Sequence, residues 1–204
     1  MADVTLVDYG LGNIQAFANI YQRLNLEVDI ADTPEQIDAS KRLILPGVGA
    51  FDWAMTRLNK SGLRSALDDA VLGRGLPVLG VCVGMQMMAK SSDEGRLPGL
   101  GWISANVERF FKESNAHKPL PHMGWNDVSP TSTSCLFAGI QTPRYYHLHS
   151  YFIAPENTAE ILATADYDGV FAAAVRKGNI YGTQFHPEKS HQWGAALLHN
   201  FAKI

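Results

Sequence analysis

Gly80-Val81-Cys82-Val83-Gly84-Met85-Gln86 follows directly on the apolar run Pro77-Val78-Leu79, placing one cysteine between two glycines where a buried strand meets a helix. A turn this tight leaves no room for a Cβ on either side, because the residue at its apex is held in a strained geometry. The segment reads as a nucleophile elbow. The Cys82 thiol then sits at a helix N-terminus, where amide hydrogens and the helix dipole favour the thiolate.

The surrounding sequence has the rhythm such an elbow needs. Short apolar strands alternate with helical patterns through the first half: Val4 to Val7, a helix with Ile14, Phe17, Ala18 and Tyr21 on one face, then Glu27 to Ile30, Arg42 to Leu45 and Val78 to Val81. Leu43-Ile44-Leu45 and Pro77-Val78-Leu79 are apolar on both faces, as expected when helices cover both sides of a parallel sheet. The expected fold is a doubly wound α/β domain with a mostly parallel central sheet. Beyond about residue 100 the pattern changes to strands joined by turns. Candidates are Trp102 to Phe111, Tyr145 to Ala154, Ala159 to Ala165, Phe171 to Arg176 and Asn179 to Gln184. Lys177-Gly178-Asn179 reads as a hairpin turn, and a closing helix carries Trp193, Ala196, Leu197 and Phe201 toward the sheet. With no repeat, low-complexity tract or linker, residues 1–204 are expected to form one domain.

A cysteine nucleophile needs a base and a group to orient it, and Gly182-Thr183-Gln184-Phe185-His186-Pro187-Glu188-Lys189-Ser190 supplies both. His186 can exchange protons with the thiol and then with the leaving group. Glu188, two residues on, can fix the imidazole tautomer and stabilise its cation.

Composition narrows the function classes. With 46% hydrophobic and 18% charged residues the 204-residue chain can bury a substantial core, and its net charge of -3 gives no basic footprint for nucleic acid. The start of the chain lacks the basic and apolar regions of a secretory signal, and no apolar run reaches about 18 residues, so a soluble cytoplasmic protein is expected. The two cysteines, Cys82 and Cys135, read as separate thiols, with Cys135 an ordinary structural residue.

Other motifs carry weaker signals. Pro46-Gly47-Val48-Gly49-Ala50-Phe51 follows a buried strand and opens a helix, so it is either a plain turn or a source of amides for an oxyanion. The elbow favours the second reading, since the Val83 amide supplies only one donor. Gly47 and Gly49 would let the peptide between them turn its amide toward the site only when the acceptor is bound. Asp8-Tyr9-Gly10-Leu11-Gly12-Asn13 lacks the third glycine of a dinucleotide fingerprint and reads as a tight loop near the strand ends. His147 and His149 lie on one face of a strand and could join His186 and Glu188 around a metal, but no metal-ligand spacing supports this. No metal or cofactor is expected. The proline-bracketed Lys118 to Asp127, with Trp125 near its end, is either loop core or a partner surface.

With these motifs in view, the chain resembles the class I (triad) glutamine amidotransferases, whose flavodoxin-like α/β sheet carries a Cys-His-Glu triad. Within that family, Pro121-His122-Met123-Gly124-Trp125-Asn126, together with the segments around residues 8–13, 46–49, 80–86 and 184–190, is similar to the glutaminase subunits of imidazole glycerol phosphate synthases. The resemblance implies that Cys82, His186 and Glu188 form the triad and that Val48, Gly49 and Val83 bound the oxyanion hole. It implies that Gln86, Glu94, Ser150 and Tyr151 hold L-glutamine. Asn13, Trp125, Tyr146, His149 and Lys189 would then meet a (β/α)8 cyclase subunit that receives ammonia in a heterodimer of histidine biosynthesis. Val81-Cys82-Val83 and Tyr146-His147-Leu148-His149 depart from the commoner Ile-Cys-Leu and Tyr-Phe-Val-His. Similar paralogues feed a barrel-like partner in surface-polysaccharide sugar amidination, so the acceptor stays open, as does a free-standing cysteine hydrolase on the same fold.

Overall fold

The first half alternates strand and helix as the sequence predicts. Its elements are β1 (Val4–Val7), α1 (Ile14–Arg23), β2 (Val28–Ala31), α2 (Pro34–Asp38), β3 (Leu43–Gly47), α3 (Phe51–Ser61), α4 (Arg64–Asp68), β4 (Val78–Cys82) and α5 (Val83–Gln86). The second half adds β5 (Ser91–Ser92), β6 (Ala105–Arg109), β7 (His122–Asp127), β8 (Ser129–Pro130), β9 (Arg144–His149), β10 (Tyr151–Pro155), β11 (Ile161–Asp166), β12 (Val170–Lys177), β13 (Ile180–Thr183) and α6 (His191–Phe201). The structure is a computed structural model that describes residues 2–110, 118–131 and 134–204.

The main sheet has the order β2-β1-β3-β4-β13-β12-β11-β8. Its first five strands are parallel and in the flavodoxin-like order; β12, β11 and β8 continue it antiparallel. Every residue of β1, β3, β4 and β13 is buried, which is why their sequences read as unbroken apolar or small-residue runs. Edge strand β2 exposes Asp29 and Ile30. The connection β1 to β2 steps one way and β2 to β3 steps back over β1, so right-handed crossovers put α1 and α2 on opposite faces. Tyr21 of α1 donates its hydroxyl to Leu198 O of α6 at 3.2 Å, joining those two helices. Leu197, Leu198 and Phe201 of α6 are fully buried, as is most of Gly194, whereas Trp193 and Ala196, expected on the same face, lie half-buried at its flank.

The second half departs from the sequence reading in two places. Tyr145 to Ala154 reads as one strand but breaks at Ser150: β9 pairs with β7, and β10 with β6. Competing partners cause the break. Ser150 O accepts the Phe110 amide, while four residues earlier the Tyr146 carbonyl accepts the His186 amide and the Tyr146 amide bonds Ser190 Oγ. The second departure is β7, where a proline-bracketed loop was expected. Its alternation, with Met123, Trp125 and Asp127 outward, is a period of two that Gly124 and the prolines conceal. The Lys177-Gly178-Asn179 turn forms as read, with Lys177 opposite Ile180 and Gly178 at φ +59°. Of the expected strand from Trp102, Ala105–Arg109 is seen, and Phe111 lies outside the described residues.

Candidate active site

β4 ends at Cys82, with φ +55° and ψ -115°, and α5 begins at the next residue. A non-glycine residue persists in that region only when its surroundings enforce it, and here the enforcement is close backbone approach. A Cβ on Gly84 would press into the Leu45 carbonyl, and one on Gly47 would press into the Gly84 amide. Gly47 therefore lets β3 touch the elbow, a need for glycine separate from any turn of the peptide that follows it. Gly49 is different, with φ +83° and only Trp53 Cδ1 near its would-be Cβ, at 3.9 Å. Because α5 is a single turn, its dipole is small and gives the sulfur little help. Gly84→Ala is expected to cost about 3 kcal/mol, since rigid backbone would have to move. An unshifted urea midpoint would show instead that β3 yields freely.

Cys82 is 4% exposed. Its thiol lies 3.9 Å from Leu148 O, and the Gln184 amide donates to the sulfur at 3.8 Å. β13 lies beside β4, so the chain following β13 brings His186 to the same place. His186 Nδ1 is 2.7 Å from Glu188 Oε1, both side chains being 3% exposed, and the imidazole also hydrogen-bonds Cys82. Burial disfavours the imidazolium, but the Cys82 and Glu188 hydrogen bonds and charges outweigh it and push His186 up to about 10. The pair is therefore arranged as imidazolium beside sulfur.

A cavity of about 280 Å³ opens over the thiol. Val48, Gly49, Val83, Gln86, Glu94, His149, Ser150 and Tyr151 are among the residues that line it. The structure thus gathers every proposed oxyanion and glutamine-holding residue around Cys82. Two anchors hold the Val48-Gly49 segment. Tyr9 donates its hydroxyl to Pro46 O at 2.7 Å, so the loop after β1 braces this segment. Glu94 Oε2 accepts the Phe51 amide at 2.8 Å, capping α3, whose own N-cap, Ala50, has no side-chain acceptor. Asp52 returns the favour, its carboxylate accepting the Arg96 and Leu97 amides at 2.9–3.0 Å. Asp52→Ala frees the turn that carries Glu94 and is expected to raise the KM for the cavity's substrate about tenfold, in line with losing bonds to a charged acceptor. A KM unchanged in steady-state assays would show that Glu94 holds its place without Asp52.

Gln184 has no counterpart among the residues the sequence singled out. It is fully buried, and its one legible sign is a polar side chain where a central strand ends. Gln86, 2% exposed, donates Nε2 to both Tyr151 O and Gln184 Oε1 at 3.2 Å. Its amide nitrogen is committed within the protein, whatever its oxygen does for a ligand.

A family model described as "Glutamine amidotransferase class-I" matches residues 5–204. The chain belongs to the class I glutamine amidotransferases. "Imidazole glycerol phosphate synthase subunit HisH" of Bdellovibrio bacteriovorus is 53% identical over 203 residues, covering 98% of this chain and 100% of that one. The protein of the same name from Leptospira interrogans is 46% identical with the same coverage. A crystal structure described as a glutamine amidotransferase superposes with a TM-score of 0.75 at 21% identity, covering 98% of this chain and 99% of that one, and shares the fold.

The remaining residues singled out in this amidotransferase fall into two groups. Trp125 and Tyr146 sit opposite each other across β7 and β9. Trp125 stacks on His191 at 5.4 Å and meets the edge of Trp193 at 6.0 Å. Trp125, Tyr146, His191 and exposed Lys189 bound a shallow surface pocket of about 310 Å³, and Lys189 lines the thiol cavity as well. Asn13 is exposed and caps α1 by accepting the Ala16 amide.

His149, expected at the partner face, is instead 6% exposed. It lies in a buried group with His147 and with His122 of β7, rather than with His186 and Glu188 as candidate ligands. Burial lowers all three; the Lys118 charge adds to it for His122, lowered to about 4, and the neighbouring imidazoles add to it for His147 and for His149, lowered to about 3. One ring nitrogen from each lies within 4.8 Å of those of the other two. His122 stacks on His147 at 4.5 Å, and His147 Nδ1 meets His149 Nε2 at 3.1 Å, while His149 Nδ1 donates to Tyr151 O. His122 joins the other two through ring contacts and meets the Asn126 amide at 3.3 Å, and His149 alone of the three lines the thiol cavity.

Proposed function

We propose that this amidotransferase hydrolyses L-glutamine at Cys82 and passes the ammonia to a (β/α)8 cyclase subunit, as the glutaminase half of an imidazole glycerol phosphate synthase heterodimer in the cytoplasm. The observation that carries the chemistry is a strained, buried thiol sharing one cavity with the Val48-Gly49 segment and with His186, whose Nδ1 is held by Glu188. The Cys82 thiolate attacks the side-chain carbonyl carbon of glutamine, and the carbonyl π electrons move to oxygen. Backbone amides of Val48-Gly49 and Val83 receive that oxyanion. His186 gives its proton to the departing nitrogen, so the C–N bond breaks with loss of ammonia and a thioester remains. Neutral His186 then takes a proton from water, hydroxide adds to the thioester, and sulfur leaves as thiolate with release of glutamate.

The choice of partner rests on the near-full-length similarity to proteins named as subunits of that synthase and on the aromatic patch beside the cavity. Trp125, Tyr146 and His191 offer rigid area of the kind that anchors interfaces, and Lys189 links that patch to the thiol. Among the described residues no helix is long and apolar enough to cross a membrane. The test is glutamate release from glutamine by the chain alone and with an imidazole glycerol phosphate synthase barrel plus its ribonucleotide ligand. Strong activation by the barrel supports the pairing. No activation, with Cys82 still labelled by a glutamine-analogue electrophile, would assign the glutaminase to a different partner.

A further inference from the structure

We propose that Gln184 is a catalytic residue, an uncharged donor that holds the Cys82 thiolate and is aimed at it by Gln86. The proposal rests on the glutaminase reading above and adds a group outside the Cys82-His186-Glu188 set.

The direction of the donor follows from the hydrogen-bond chain. Tyr151 O can only accept, so the atom of Gln86 that faces it at 3.2 Å is the amide nitrogen. The same nitrogen is 3.2 Å from the Gln184 amide and must donate there too, which places the Gln184 oxygen toward Gln86. Gln184 Nε2 is left facing Cys82 Sγ at 3.8 Å. Turning the Gln184 amide over would set nitrogen against nitrogen at one end and oxygen against the thiolate at the other. With Gln184 fully buried and Gln86 nearly so, no solvent relieves either clash.

The sulfur needs such a donor. Its neighbour on another side is the Leu148 carbonyl at 3.9 Å, which accepts from a thiol but repels a thiolate. Gln184 offsets that carbonyl. It does so at two moments, as the sulfur attacks glutamine and again when the thioester breaks and sulfur leaves with its electron pair, by which time His186 has taken a proton from water. A donor that carries no ionisable proton serves both moments without entering the proton transfers.

The experiment follows alkylation of Cys82 by iodoacetamide against pH, in the complex with the cyclase barrel. Modified Cys82 peptide is quantified in a Cys135→Ser background, because Cys135 is an exposed free thiol. Gln184→Met keeps most of the volume and removes the donor. The titration midpoint of Cys82 is expected to rise by about one unit, so alkylation at any pH below both midpoints slows about tenfold. The glutamine-dependent kcat should fall while KM changes little, and synthesis from added ammonium should persist at the wild-type rate. Gln86→Met removes the aiming group with Gln184 intact and is expected to shift the midpoint the same way. An unmoved midpoint in both variants overturns the proposal, as does a parallel fall in ammonium-dependent synthesis, which would mark a packing role. Failure of the glutaminase reading would look different, with wild-type Cys82 inert to a glutamine-analogue electrophile.

Discussion

Cys82→Ala is expected to remove glutamine-dependent synthesis by roughly four to six orders of magnitude, the scale seen when a sole nucleophile is deleted, and to leave synthesis from ammonium intact. The separation is predicted because everything the substitution touches lies on the glutamine side. The Ala Cβ occupies the place of the Cys Cβ at φ +55°, so the backbone strain is the same in both proteins and the elbow, built by close glycine contacts, is kept. Sulfur leaves behind a small gap bordered by Gln184, Leu148 O and His186. Nothing in that gap takes over as nucleophile. Parallel assays of the reconstituted complex with glutamine and with ammonium chloride decide the matter. Loss of both activities in equal measure would mean that Cys82 supports the assembly and not the hydrolysis.

How much of this was legible beforehand depends on whether a feature is local in the chain. The elbow was legible because Gly80 and Gly84 bracket Cys82 within one short segment, although the backbone that a Cβ on Gly84 would strike, Leu45 O, lies on β3. His186 and Glu188 were legible because a two-residue spacing lets one side chain reach the other. The parallel half of the sheet showed itself in apolar runs such as Leu43-Ile44-Leu45, whose burial on both faces follows from the covering helices. By contrast, the contact of Gln184 with Cys82 spans 102 residues and arises only because β13 lies beside β4. The reciprocal bonds between Asp52 and the 96–97 amides, and between Glu94 and the Phe51 amide, likewise join segments about 43–45 residues apart. Gly47 was legible as a glycine that mattered, but its close approach to the elbow was not. Its function is set by what it touches, Gly84, and no single segment reveals that. His149 illustrates the same limit, since its burial depends on β7, whose strand character was hidden by prolines and a glycine.

Glu188→Gln is expected to lower kcat roughly a thousandfold, somewhat less than the loss reported for the equivalent acid-to-amide change in serine triads, with KM for glutamine nearly unchanged. KM is spared because Glu188 does not line the thiol cavity; it touches His186 from behind. The smaller loss follows from Glu188 Oε2, which is buried without a partner. A glutamine can place its NH2 there and keep its oxygen on His186 Nδ1, so the tautomer survives and only the charge is lost. Losing that charge lowers the His186 pKa, and the sign of the stability effect can be worked through. His186 in the folded protein is raised to about 10, above its unfolded value of about 6.5. It therefore contributes stability that is full below about pH 6.5 and is lost as pH rises through about 10. With Glu188 neutral the folded value falls, so that stability is lost at a lower pH than in the wild type. Urea midpoints of the two proteins should differ most near neutral pH and converge as pH approaches 10. A gap that stayed constant across that range would show that Glu188 stabilises the fold by packing, independent of the charge on His186. A kcat within tenfold of wild type would show that His186 is oriented by its own burial and by Cys82.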